Sequence, residues 1–216
     1  MKKLLFAVIF LTASFNVFGQ IQEIGSKVFY SAIRVADDKK LEFSRREKMK
    51  QVIYSKGRIK EVKEEIDDFL IPDKQRYLLV ETIGKKVERL ELIKIGDRNY
   101  QKKNNRNWTK EEQWNRPEVL SSIPVPLKSL YTLETTTINN QSARLYKFYA
   151  VFNEFSPAEE EEEQGYFEDK VWINNDGFVI REEKTMGKPQ SKEISSIKVY
   201  EYEYNPKDLK IESPIK

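Results

Sequence analysis

The sequence predicts a mainly β, α+β domain built on an antiparallel sheet and preceded by a cleavable export segment. Three observations predict the sheet. Runs such as Lys74 to Ile83, Val87 to Ile95 and Asp97 to Lys103 follow one another, bounded by Gly, Asn or Asp, the punctuation of an antiparallel meander. Asn139-Asn140 and Asp176-Gly177 fall between such runs, where tight turns need residues that accept positive φ. Tyr200, Tyr202 and Tyr204 alternate with Val199, Glu201 and Glu203, the period of a half-buried strand.

The N-terminus begins Met1, Lys2, Lys3, continues as an apolar run from Leu4 to Leu11, and reaches Gly19 through mixed residues. A short positive region, an apolar core and small residues before a cut site form the signal-peptide pattern. Val17 and Gly19 fit the −3 and −1 positions, so the mature chain is expected to start at Gln20. A membrane anchor would need about 20 apolar residues, and Thr12, Ser14 and Asn16 interrupt this run first. Residues 1–19 are therefore read as the signal and 20–216 as a single domain, exported to a periplasm or released outside the cell.

No cysteine is present. Disulfides are thus impossible, as is lipidation of a cysteine after cleavage, and stability must come from an ordinary core. Removing Lys2 and Lys3 leaves 36 basic and 35 acidic residues. That balance does not suggest nucleic acid as a partner, which calls for a concentrated basic face.

Ile21, Ile24, Val28, Ala32 and Val35 approach the spacing of one helical face and predict a short helix over 21–35. Residues 37–68 are dominated by charge. Ile59, Val62 and Ile66 suit a helix there, and two long solvated strands fit equally well. In Lys74 to Ile83, Tyr77, Leu79 and Ile83 share one face and Leu78 and Val80 the other. Residues 115–130 carry Pro117, Pro124 and Pro126, which cannot donate to a ladder. Among them stand Leu120, Ile123, Val125, Leu127 and Leu130, making an apolar cover or a loop pinned to the core. Beyond Asn139-Asn140, Asp176-Gly177 favours a type I′ turn that pairs Ile173 with Ile180 and Trp172 with Arg181. Val171, Ile173, Phe178 and Ile180 then share a face. Glu159 to Glu163 are five consecutive carboxylates, which repel one another and stay hydrated.

Histidine is absent as well as cysteine. This removes Ser-His-Asp and Cys-His nucleophilic sites, histidine-ligated zinc and the usual neutral-pH base. No Gly-rich phosphate loop occurs, and the acidic run lacks the spaced ligands of a calcium loop. No cofactor, metal site or catalytic residue is assigned, and the protein is read as a non-enzyme. A carboxylate-pair hydrolase ranks last among the readings. Aromatics are plentiful, at 11 Tyr, 12 Phe and 3 Trp; most serve packing, while Trp108 and Trp172 are candidates to face a ligand.

The order of elements resembles the periplasmic lipoprotein-carrier (LolA-like) superfamily. The likeness rests on Ile95-Gly96-Asp97-Arg98-Asn99-Tyr100 with Trp108, on the hairpin from Lys170 to Arg181, and on Tyr204-Asn205-Pro206 with Ile211-Glu212-Ser213-Pro214. It is best over 74–108 and 166–215. The resemblance implies a strongly curved antiparallel sheet, an incomplete β-barrel of about eleven strands, with a helical or Pro-rich cover over an apolar cavity. It also implies an early-strand arginine that holds a closed state, for which Arg45, Arg46 and Arg58 compete. The function that follows is non-enzymatic binding of a lipid or acyl group, or an acylated protein, within the cell envelope. Ligand-facing candidates are Trp108, Leu120, Ile123, Val125, Leu127, Leu130, Phe148 and Trp172. The alternative is an envelope protein-interaction or sensor module on the same scaffold, its cavity filled by its own side chains.

Overall fold

The computed structural model describes residues 21–114, 126–155, 162–189 and 193–215. Their strands are β1 (Gln22–Glu23), β2 (Arg45–Ser55), β3 (Arg58–Leu70), β4 (Lys74–Ile83), β5 (Lys86–Ile95), β6 (Arg98–Lys103), β7 (Thr109–Glu111), β8 (Lys128–Ile138), β9 (Gln141–Phe155), β10 (Glu162–Asn174), β11 (Val179–Lys188) and β12 (Glu193–Tyr204). One helix, α1 (Ser26–Leu41), lies between β1 and β2. The strands form one antiparallel sheet in the order β1-β8-β9-β10-β11-β12-β2-β3-β4-β5-β6-β7. The end strands β1 and β7 do not meet, so the sheet is a curved, open half-barrel, as expected. Two meanders, β2–β7 and β8–β12, join along the β12–β2 seam, where Tyr204 pairs with Arg45 and Ser196 with Ile53.

The charged segment 37–68 resolves into the end of α1 and the long strands β2 and β3. Lys56 and Gly57 turn between them with φ of 51° and 69°. Ile59, Val62 and Ile66 form no helical stripe there but lie along β3, and β2 and β3 alternate charges across both faces and pair them with neighbours, as in Lys50–Glu64 at 2.9 Å.

Two expectations are corrected. The helix spans Ser26–Leu41, not 21–35, because Ile24 donates its N–H to Tyr131 O (2.9 Å) at the end of the short β1–β8 pairing. Its buried positions are Phe29 and Ala36, backed by Ala32 and Ile33, while Val28 and Val35 are exposed. The stripe is shifted by one residue from the expected phase, since the wide Phe29 ring claims the sheet. The second correction is the Asp176-Gly177 turn. Only Gly177 has positive φ, at 83°, and Gly177 N–H donates to Asn174 O. The turn is therefore longer than two residues. Trp172 pairs with Arg181 as expected, but Ile173 pairs with Val179 across a bulge. The extra residue replaces Ile180 with Val179 on the buried face, because a one-residue slip turns side chains over. Asn139 and Asn140, at φ 50° and 62°, make the tight two-residue turn instead.

The helix packs on one face of β8–β11, here called the inner face. Phe29, Ala36, Tyr146, Phe148, Ala150, Phe152, Phe167, Val171, Ile173 and Val179 form the main core. A smaller core lies on the outer face, where Ile93, Tyr100 and Ile211 meet, with Leu70, Ile95 and Trp108 against them. Ile211 belongs to the segment after β12, which is strapped down by Arg46. That guanidinium donates to Asp68 (2.7 Å) on β3 and to Asp208 (3.0 Å) on the strap.

Candidate functional site

Directly opposed residues in an antiparallel sheet share a face, so the register spells out the inner surface. One row runs Leu133, Tyr146, Val171, Glu182, Tyr200, Met49, Glu65, Leu79, Leu90 from β8 to β5. It is apolar at both ends and polar in the middle. The next two rows place Tyr202, Glu47, Asp67, Tyr77, Leu92 and then Tyr204, Arg45, Phe69, Gln75, Lys94 in line.

The apolar floor beneath the first turns of α1 is filled by the protein's own rings. Phe29 lies 5.4 Å from Tyr131 and 6.1 Å from Phe148 between ring centroids. Tyr131 and Phe148 stack at 4.9 Å, and Phe148 meets Phe167 at 6.0 Å.

Beside this floor runs a belt of charge. Tyr202 donates to Glu182 (2.7 Å), and Lys184 bridges Glu182 (3.4 Å) and Asp169 (3.8 Å). Asp169 sits beneath the helix with one carboxylate oxygen unbonded. Burial pushes its pKa up from the ordinary 3.8 to about 6, against the pull of Lys184. Burial also raises the Tyr202 phenol, helped by Glu182. Burial pulls Lys184 down, but Asp169 and Glu182 outweigh it and the net shift is upward. From the helix, Lys40 lies 4.8 Å over the Tyr202 ring.

At the C-terminal end of α1 the belt opens into a cleft of about 510 Å³. Leu41 forms one wall, the β3–β4 turn with Leu70, Ile71 and Pro72 another, and Phe69, Gln75 and Lys94 the floor. Its volume lies within the usual range for small-ligand sites. Arg45 stands at the back, 6 % exposed. Its guanidinium stacks on Phe69 at 3.8 Å, donates to Glu47 at 2.6 Å, and reaches the Lys40 carbonyl of the helix at 3.5 Å. Of the three competing arginines, Arg45 alone has a described contact with α1. Arg46 points to the outer face and holds the strap, while Arg58 is exposed beside the β2–β3 turn.

The sequence-derived ligand candidates do not gather in this cleft. Phe148 is buried in the main core. Trp172 lies on the outer face, with the Arg181 guanidinium 5.8 Å over its ring. Trp108 is half-buried against the outer core, and Lys102 stands 6.0 Å from it. Leu127 and Leu130 are exposed at the start of β8. Leu120, Ile123 and Val125 lie outside the described residues. The cleft residues Leu41, Phe69 and Pro72 were missed. Phe69 ends a charged strand, and only its pairing with Arg45 reveals its face.

Comparison with solved structures finds seven similar chains, two of them as follows. LprF from Mycobacterium bovis matches at 8 % identity over 88 % of this chain and 99 % of that one, with a TM-score of 0.43. A LolA superfamily protein from Nitrosomonas europaea matches at 6 % identity over 81 % and 90 %, with a TM-score of 0.30. The second of these bears the superfamily name that the sequence resemblance had suggested. No protein-family model and no curated protein matches the sequence.

Proposed function

We propose that this chain is an exported, non-enzymatic binding protein of the periplasm that shelters an acyl group, free or attached to a protein, at the inner face of its sheet. The observation that carries the reading is the cleft at the end of α1. Leu41, Phe69, Leu70, Ile71 and Pro72 give it an apolar side, Asp73, Lys74, Gln75, Lys94 and Asp97 a polar rim, buried Arg45 stands at its back, and it lies where the helix leaves the sheet. A soluble carrier needs no catalytic group. Each methylene taken from water contributes about 0.8 kcal/mol, so a cleft that admits part of a chain, and a helix that yields to the rest, suffice. Arg45 would tie the helix to the sheet in the unloaded state through Lys40 and release it on loading. No described helix is long and apolar enough to cross a membrane.

The test is native mass spectrometry of the mature protein offered a fatty acid and a lipopeptide, with Phe69→Glu as the disabled variant. One-to-one uptake that the variant loses supports the reading; absence of uptake by the native protein refutes it.

A second reading is favoured by a separate observation, the ring-filled space under Phe29. A self-filled seam suits an interaction or sensor module, which would hold protein partners and take up no acyl probe.

A further inference from the structure

We propose that the end of the sheet formed by the β2–β3 and β4–β5 turns and the end of β6 is a docking surface for an anionic lipid bilayer. The surface stands apart from the acyl-binding reading, because it lies at the opposite end of β3, β4 and β5 from the cleft.

In an antiparallel meander alternate turns fall on one edge. Here Ser55 pairs with Arg58, Ile83 with Lys86, and Leu90 with Lys103, which places those three segments together. Glu61 opposite Ile83 ties the first to the second. Asn104 ties the third, giving its N–H to Arg89 O (2.7 Å) and accepting from Arg89 N–H (2.8 Å) through Oδ1. At the ordinary spacing between strands, β2 to β6 span roughly 20 Å, the breadth of a few headgroups.

Residues 56–61, 83–89 and 102–107 hold nine cations and two acids, Glu61 and Glu88. The whole chain is only +3, so the remainder is net negative and the charge is segregated to this end. The two acids are already engaged. Glu61 binds Lys63 at 3.0 Å and Glu88 binds Lys86 at 2.6 Å. Lys56, Arg58, Lys60, Lys85, Lys103 and Arg106 have no ion-pair partner among the described residues, and all are exposed.

Aliphatic side chains are exposed among these cations. Ile59 is 63 % exposed, Val87 59 % and Ile83 46 %. Water-exposed aliphatics interleaved with Lys and Arg match the boundary between headgroups and acyl chains, where cations meet phosphates and the aliphatic groups enter the apolar edge. This combination favours a bilayer over a partner recognised by charge alone.

The test is flotation of the chain from Gln20 onward with vesicles of phosphatidylcholine, with or without phosphatidylglycerol. All contacts described above lie within 21–215, so the shortened N-terminus removes none. Binding is expected only with the anionic lipid, falling with salt and falling roughly fivefold for each cation removed. Lys85→Gln with Lys86→Gln should therefore weaken partitioning by about 25-fold, and Ile83→Ser should weaken it further. Lys207→Gln with Lys210→Gln, on the distant strap, should change it little. Equal binding to neutral vesicles, no binding to either, or an equal loss from the strap pair overturns the proposal. Self-association at low salt without vesicle binding also overturns it, and assigns the surface to a second copy of the chain. Vesicle binding that persists when acyl uptake fails would refute the carrier reading and leave this surface standing.

Discussion

Replacing Asp169 with Asn should stabilise the protein at neutral pH and leave it nearly unchanged in acid. The carboxyl sits between helix and sheet, 18 % exposed. Lys184 and Glu182 approach it from β11 and Asp37 from α1, and Tyr30 on the helix senses its charge. Its pKa rises from 3.8 unfolded to about 6 folded, so the folded state binds the proton more tightly. A raised folded pKa means that Asp169 favours folding fully only below about pH 4. That contribution is lost as pH climbs through 6. The shift of roughly two units corresponds to about 2–3 kcal/mol. Asn keeps the shape without the charge, and Lys184 retains Glu182 as its partner. Urea unfolding of both proteins at matched ionic strength, analysed as two-state, gives the difference directly. The variant's advantage should grow from near zero in acid to about 2–3 kcal/mol at neutral pH. An advantage that does not change with pH, or a variant that is weaker at neutral pH, would refute the argument that burial dominates over the Lys184 attraction.

Other substitutions test the two cores. Arg46→Ala leaves Asp68, 2 % exposed, charged and unpartnered on the outer face. It should cost about 3–5 kcal/mol, while Asp208→Ala, on the exposed side of the same guanidinium, should cost far less because solvent screens that pair; denaturation midpoints separate the two. Phe29→Ala removes the ring that joins α1 to Tyr131 and Phe148, and calorimetry should register a loss of about 3–5 kcal/mol. Gly187→Ala would set a methyl against the Glu193 carbonyl oxygen and 2.7 Å from Tyr166 Cε1. Overpacking there should lower stability by about 1–3 kcal/mol, seen as a lower Tm.

The strands after Lys74 were legible because their order is local: each run meets the next, and Lys74–Ile83 has the bounds the alternation suggested. The helix phase was misread because Val28 and Val35 are as apolar as Ala32 and Ala36, and only the sheet decides which are covered. The Asp176-Gly177 slip shows that a turn pair names a bend but not its length; here the Asn174 side chain accepts Phe178 N–H (2.9 Å) and lengthens the turn. The belt and the cleft were hidden for a different reason. Arg45 lines up with Tyr204 across more than 150 residues of chain, and no local pattern marks residues brought together at that range. Charged residues crowding β2 read as solvated from sequence, yet Arg45 and Glu47 turn inward opposite Tyr204 and Tyr202 of β12.

The seat of the helix has a consequence for how the chain matures. Helix α1 precedes every long strand, yet the rings that receive Phe29 come from β8, β9 and β10, about a hundred residues later. A chain emerging from its N-terminus must therefore carry an amphipathic helix without a dock while the first meander assembles beside it. Contacts of such separation are slow to close, and exposed apolar surface invites association in the meantime. The apolar side of α1 thus stays uncovered until the second meander arrives to receive Phe29.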